Sequence, residues 1–339
     1  SMGSIYARIR GVSHESSGLP TYTLLTHKEI DGQYSKELGR VKGGAAPNEL
    51  GPVYAPFNHE DDTYLPKSRK GDDRRRSSNN KGASMASDMQ LSIPADRFDD
   101  RKSLLAQLDR IRREIDRSGQ IDAAGKYQQQ AFELVTGTGA QAFDISSEPR
   151  DLVARYDTSK TKIGKKVFRP SNLGKQMLMA RRLVEAGCGF VTVHSAGWDM
   201  HADGNNPGMI QGMHMLGTTL DKAVSAFMED VKSRGLDDKI LLVITGDFGR
   251  TPKVNSRGGR DHWASLGTLA FAGGGLPMGQ TIGQSDRRNG EPATEPVTPR
   301  MMMGTIMHTL FDTGELRLDP SIPRELMDAA QAEPIAELA

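Results

Sequence analysis

Three short clusters in this chain hold residue types from which metal sites are built. Gly197-Trp198-Asp199-Met200-His201 places a carboxylate just ahead of an imidazole. Gly246-Asp247-Phe248-Gly249-Arg250 places a carboxylate just ahead of a guanidinium. Gly259-Arg260-Asp261-His262-Trp263 sets a carboxylate and an imidazole side by side. Asp supplies an oxygen donor and His a nitrogen donor, a pairing that suits a divalent ion such as Zn, Mn, Ca or Mg.

Each cluster also has a plainer reading. Asp199 and His201 would point to opposite sides of an extended segment and share a ligand only if the chain turns there. Gly197 and the 203–208 stretch, Asp203-Gly204-Asn205-Asn206-Pro207-Gly208, supply turn residues. The alternative is that Asp199 caps a local turn and His201 is exposed. Asp247, two residues past an apolar run, either ligates a metal or pairs with Arg250. If it ligates, Arg250 is left to clamp an anionic oxygen, because a guanidinium fork matches phosphate or sulfate. Asp261 either ligates or orients His262, and the whole Asp-His-Trp segment can instead be a loop anchor.

The clusters follow or precede strand-like runs. The spacing predicts a helix over 171–185, capped by Ser171 and stopped by Gly187, then a strand over 189–194. A longer helix over 213–233 carries Leu216, Leu220, Val224, Phe227 and Val231 on one face, and Gly235 closes it. Strands over 240–245 and 268–272 come next, and a last helix starts at Thr298-Pro299. The strands are nearly unbroken apolar runs, the signature of a sheet covered on both faces. The expected fold is α/β, with a largely parallel central sheet between helix layers. In such sheets the sites sit at the carboxyl ends of the strands.

Upstream the pattern is less regular. Residues 1–98 read as a loop-rich part of the α/β domain, and the charged 64–90 stretch as a solvated insertion. Residues 99–150 read as a helical hairpin or arm, with Leu104, Leu108, Ile111 and Ile115 on one stripe. Residues 151–339 form the core α/β domain that carries the site. The opening Ser1-Met2-Gly3-Ser4 looks like a cloning remnant.

Bulk composition narrows the class. With 44 Lys+Arg against 43 Asp+Glu, no global field argues for nucleic acid. The single cysteine, Cys188, excludes an intrachain disulfide and a cysteine zinc cluster, and it reads as buried filler. No apolar stretch approaches the ~20 residues of a membrane-spanning helix.

These motifs, in this order, resemble the DUF1501 family, proteins of unknown function frequent in planctomycetes and related bacteria. The resemblance rests on Gly197-Trp198-Asp199-Met200-His201, Gly246 through Pro252, and Gly259 through Trp263. Phe271-Ala272-Gly273-Gly274-Gly275, Pro296-Val297-Thr298-Pro299 and the 180–187 segment add to it. It covers most of residues 4–314 and is similar, in turn, to the alkaline phosphatase and sulfatase superfamily. That similarity implies an alkaline-phosphatase-like fold and metals at the strand ends. Asp199 and His201 would be one ligand pair, Asp247 the Asp of a second pair, and His262 a returning ligand. Asp261 would stand behind them. Phe248 occupies the place of the second pair's His, so one metal is expected rather than two. The nucleophile turn of the superfamily has no counterpart in the chain. The resemblance implies an exported, periplasmic hydrolase of phosphate or sulfate esters, acting on a small anionic ester or a sulfated or phosphorylated glycan. The alternative is a catalytically inactive protein of the same fold that binds such an anion.

Overall fold

The computed structural model describes residues 1–27, 35–61, 134, 139–166, 168–320 and 322–339. The charged 64–90 stretch and the helical arm lie outside the described residues, apart from Leu134 and the end of the arm from residue 139. The chain divides into two compact units. One comprises residues 1–159 and 172–196, the other 160–171 and 197–339.

The first unit is built on a three-stranded parallel sheet. Helix α1 (Met2–Arg10) leads to strand β1 (Tyr22–His27), helix α2 (Ser35–Ala45) and strand β2 (Phe57–Asp61). Helices α3 (Arg150–Tyr156) and α4 (Leu173–Glu185) precede strand β3 (Phe190–Val193). Strand β1 lies in the middle and pairs in parallel with both neighbours, Thr23 facing Phe57 on one side and Val191 on the other. The pleat sends alternate residues to opposite faces. Leu25 packs with Met179, Ala180 and Leu183 of α4 and with Phe143, while Phe57, Val191 and Val193 lean on that cluster. Tyr22 and Leu24 pack with Ala7 of α1 and Ala45 of α2 on the other face.

The described residues of the 1–61 stretch are ordered into α1, β1, α2 and β2. They hold the central strand of the sheet, every residue of which is buried. The opening residues are likewise part of the fold. The Ser1 side chain accepts a hydrogen bond from the Ser4 amide and caps α1, and Gly3 lies so close to the Tyr22 ring that a Cβ would collide with it.

Helix α4 begins at Leu173, after Asn172 rather than Ser171. The Thr158 hydroxyl accepts from the Gly174 amide at 3.1 Å. Its inner face includes Arg181, only 1% exposed, whose guanidinium pairs with Glu148 at 2.8 Å and Glu185 at 2.7 Å. Burial works against the Glu148 carboxylate. Arg181 and Arg182 outweigh it and hold that group below the usual range. Cys188 is fully buried, as expected of filler. Burial pushes its thiol up to about 11, so it is inert at neutral pH.

The second unit has a different sheet arrangement. Helix α5 (Met209–Gly212) runs through a π-helical turn (Met213–Gly217) into α6 (Thr218–Ser233). Strand β4 (Leu241–Thr245) follows, then two short strands, β5 (Gly249–Arg250) and β6 (His262–Trp263), then β7 (Leu269–Gly273). Strands β4 and β7 pair antiparallel, Val243 facing Phe271. This pair departs from the largely parallel sheet expected, and its residues are half-buried or exposed rather than covered on both faces. A continuous apolar run carries no information on strand direction. Helix α7 (Pro299–Leu310) starts where Thr298-Pro299 placed it, with the Thr298 hydroxyl accepting from the Met301 amide at 3.2 Å.

Candidate metal centre

The site lies within the second unit and is assembled from two segments, the 197–208 loop and the β5–β6 ribbon. Gly197 enters the loop at φ 94° and Ala202 turns it at φ 58°. The Asp203 carboxylate accepts from the amides of Asn205 and Asn206, both at 2.8 Å, and closes the turn. The ribbon pairs Gly249 with Trp263 and Arg250 with His262. Residues opposite one another on adjacent strands project from the same face, so Arg250 and His262 are presented together.

The connection between β5 and β6 is stiffened by residues that the sequence reading did not single out. The Asn255 side-chain carbonyl accepts from the amides of Arg257 and Gly259, both at 3.0 Å. The Arg260 guanidinium donates to the carbonyls of Thr251 and Pro252 at 2.7 and 2.9 Å. The same connection grips the 197–208 loop. Arg260 donates its amide to the Met200 carbonyl at 3.0 Å, and Asn255 donates its side-chain amide to the His201 carbonyl at 3.0 Å. Asn and Arg at these positions look like ordinary loop residues in sequence. Only the closed connection shows what they hold.

These braces bring Asp199, His201 and His262 together, with one potential ligand atom from each inside a sphere of mutual 4.8 Å separations. His262 Nε2 lies 2.9 Å from Asp199 Oδ1 and 2.9 Å from His201 Nε2, and His201 Nε2 lies 3.4 Å from Asp199 Oδ1. A tetrahedral ion with bonds of about 2.0–2.1 Å separates its ligand atoms by roughly 3.3 Å. The triangle is therefore within a few tenths of an ångström of the size such an ion requires. Three protein donors with a further position open to solvent is also the pattern of catalytic rather than structural zinc sites. His262 is half exposed, so the centre is open to solvent.

Asp261 stands behind His201. Its carboxylate accepts from His201 Nδ1 at 3.1 Å and from Asn255 Nδ2 at 3.3 Å. Those bonds hold the Asp261 carboxyl below the usual carboxylate range. A carboxylate only accepts, so His201 carries its proton on Nδ1 and turns the Nε2 lone pair toward Asp199 and His262. The sequence reading gave Asp261 the choice of ligating or orienting His262; in the fold it orients His201. Asp261→Asn is expected to weaken metal binding about 10–100-fold while leaving the melting temperature of the metal-free protein nearly unchanged. Titration of the variant with Zn2+ or Mn2+ checks this, and an affinity equal to the parent's would contradict it.

Arg250 completes the cluster. Its Nη2 donates to Asp199 Oδ1 at 2.5 Å and to the Trp198 carbonyl at 3.2 Å, and its Nη1 lies 3.3 Å from His201 Nε2. Burial opposes ionisation of Asp199. Hydrogen bonds from Arg250 and His262, and their charges, outweigh that and hold its carboxyl below the ordinary 3.8. Stability from this group is present above about pH 4 and is lost as pH falls through the lowered folded value. Below about pH 4 the parent should lose thermal stability more steeply than Asp199→Asn, measured by unfolding across pH. Equal slopes would contradict the pairing.

Phe248 packs its ring on His262, with centroids 4.3 Å apart, and Arg250 lies 5.8 Å from the centre of the same ring. It works as a wall that fixes both side chains. Asp247 does not join the three-ligand group. It is exposed, and its carboxylate accepts the amide of the adjacent Phe248 at 3.1 Å. Arg250, which the sequence leaves either paired with Asp247 or facing an anion, is bonded to Asp199. The remaining histidines lie elsewhere. His194, after β3 in the first unit, is 3.4 Å from Glu37, and His308 is 3.5 Å from the Thr313 hydroxyl.

A family model described as "Protein of unknown function (DUF1501)" matches residues 1–318. No curated protein and no solved structure matches the chain.

Proposed function

The chain belongs to the DUF1501 family, and from that premise we propose that it is a metal-dependent hydrolase of phosphate or sulfate esters. The observation that carries the reading is the convergence of Asp199, His201 and His262 on one point with the Arg250 guanidinium beside it. Donors for a divalent cation and a clamp for an anion share one solvent-open cluster, a combination that metal-assisted hydrolysis of a phosphate or sulfate ester uses. The proposal includes the similarity to alkaline phosphatases and sulfatases and the periplasmic location that the family resemblance implies.

The roles divide by chemistry. Asp199, His201 and His262 would hold the ion, and Asp261 keeps His201 in the ligating tautomer. A bound divalent ion would supply Lewis-acid polarisation of an ester oxygen. Arg250 would bind a non-bridging oxygen of the phosphate or sulfate through its paired N–H groups. Phe248 limits the movement of His262 and Arg250.

A second reading is a binding protein that takes up the same anion without turnover. The Arg250 guanidinium, a quarter exposed beside the cluster, supports it as a seat for the anion. Chelator-stripped protein separates the two readings. Zn, Mn, Ca or Mg is expected to raise the melting temperature, and the loaded protein should hydrolyse 4-nitrophenyl phosphate or sulfate. A thermal shift without turnover supports the binding protein. No shift with any of the four ions rules out the metal site.

A further inference from the structure

Arg250 stands in the coordination space of the ion that the cluster would hold. Its Nη2 is 2.5 Å from Asp199 Oδ1 and its Nη1 is 3.3 Å from His201 Nε2, two of the three ligand atoms. An ion bonded to those atoms at about 2.0–2.1 Å would lie against the guanidinium. Two cations cannot share one carboxylate oxygen at that range without strong repulsion. Before the ion enters, the guanidinium must leave Asp199.

We propose that Arg250 and the divalent metal compete for Asp199, and that an oxyanion relieves the competition by taking Arg250, so that metal and anion bind with positive coupling. The inference rests on the metal-site reading above and adds an order to it. Arg250 is equipped for the exchange. It sits on the two-residue strand β5, and its side chain is a quarter exposed. Its bond to the Trp198 carbonyl anchors only one nitrogen, Nη2. A tetrahedral oxyanion offers the guanidinium two parallel hydrogen bonds in place of the single carboxylate oxygen it now shares with His262. With the anion bound, Asp199 Oδ1 is left to the ion, and the ion in turn keeps Arg250 on the anion. Substrate would thus help to assemble the centre that acts on it, and a resting protein would hold metal weakly.

The test is a Zn2+ titration of stripped parent protein against a competing chelator, in sodium sulfate and in sodium chloride of equal ionic strength. Arg250→Ala is measured in parallel, with Arg250→Gln as a bulk-preserving control. Sulfate is expected to tighten Zn2+ binding by the parent about tenfold, within the usual range of coupling between two sites. Reciprocity requires Zn2+ to tighten sulfate binding by the same factor. Both variants should bind Zn2+ at least as tightly as the parent does in sulfate, and sulfate should not change their affinity. Weaker metal binding in Arg250→Ala, a sulfate effect that survives in the variants, or a parent affinity independent of sulfate would each overturn the exchange. Parent protein that binds no Zn2+ in either salt would instead overturn the metal-site reading itself.

Discussion

Replacing Asp199 by alanine is expected to abolish measurable metal binding, with an affinity loss beyond the about 100-fold that removal of an outer partner can cost. Asp199 Oδ1 is the only oxygen donor in the triangle, 2.9 Å from His262 Nε2 and 3.4 Å from His201 Nε2, and it also accepts from Arg250 at 2.5 Å. Without it, two imidazoles and a guanidinium face one another with no carboxylate between them. The arginine would then repel any incoming ion. The fold should survive, because the side chain is nearly half exposed and lies in a loop. Circular dichroism like the parent's, with no thermal shift on adding Zn2+ or Mn2+, is the expected pair of results. A normal metal-induced shift in Asp199→Ala would show that the ion binds elsewhere.

Gly259→Ala is the second large effect, reached through the backbone rather than through a ligand. Gly259 is buried, and a Cβ there would run into the carbonyl group of His201 and come within 2.6 Å of the Met200 carbonyl oxygen. Neither is the flexible end of a side chain, so relief requires moving the 197–208 loop away from the ribbon. That movement would break the bond from the Arg260 amide to Met200 and shift His201 away from His262. A stability cost of about 1–3 kcal/mol is expected, together with loss of metal binding, although no metal-binding atom has been changed. Comparing Gly259→Ala with Gly258→Ala separates contact from composition. Position 258 has φ 87° but open space around it, so its cost is backbone strain alone. Metal binding that persists in Gly259→Ala with parental affinity would mean that the loop and ribbon do not depend on this close approach.

The parts of the fold legible in sequence were those governed by periodicity and caps. Helices α4, α6 and α7 and the apolar runs of β3, β4 and β7 lie close to where their spacing placed them. Strand direction was not legible, since 240–245 and 268–272 are equally apolar whether paired parallel or antiparallel. Strand β2 was missed because it lies at an edge of the sheet and reads Phe-Asn-His-Glu-Asp, with one apolar residue in five. Its Glu60 pairs with Lys42 of α2, a contact with no local signature. Strand β1 has no clear apolar signature, because Thr23 and Thr26 break up its run; both are buried nonetheless.

The site was legible as residue types and only partly as partners. Asp199, His201 and His262 stand out because carboxylate and imidazole fall in glycine-bounded loops beside apolar runs. Asp247 carries the same local signature and does not join them. Which of two similar loop carboxylates faces the cluster is decided by the β5–β6 register and the bracing by Asn255 and Arg260. Neither can be read from spacing. The same register places Arg250 beside His262 and within reach of Asp199.

The central claim is that His201, His262 and Asp199 ligate one ion. X-ray absorption at the zinc edge of Zn2+-loaded protein tests it most directly. Two imidazole nitrogens and oxygen donors at about 2.0–2.1 Å are expected, falling to one imidazole in His262→Ala. A zinc shell without imidazole, or a two-imidazole shell unchanged in His262→Ala, would contradict it.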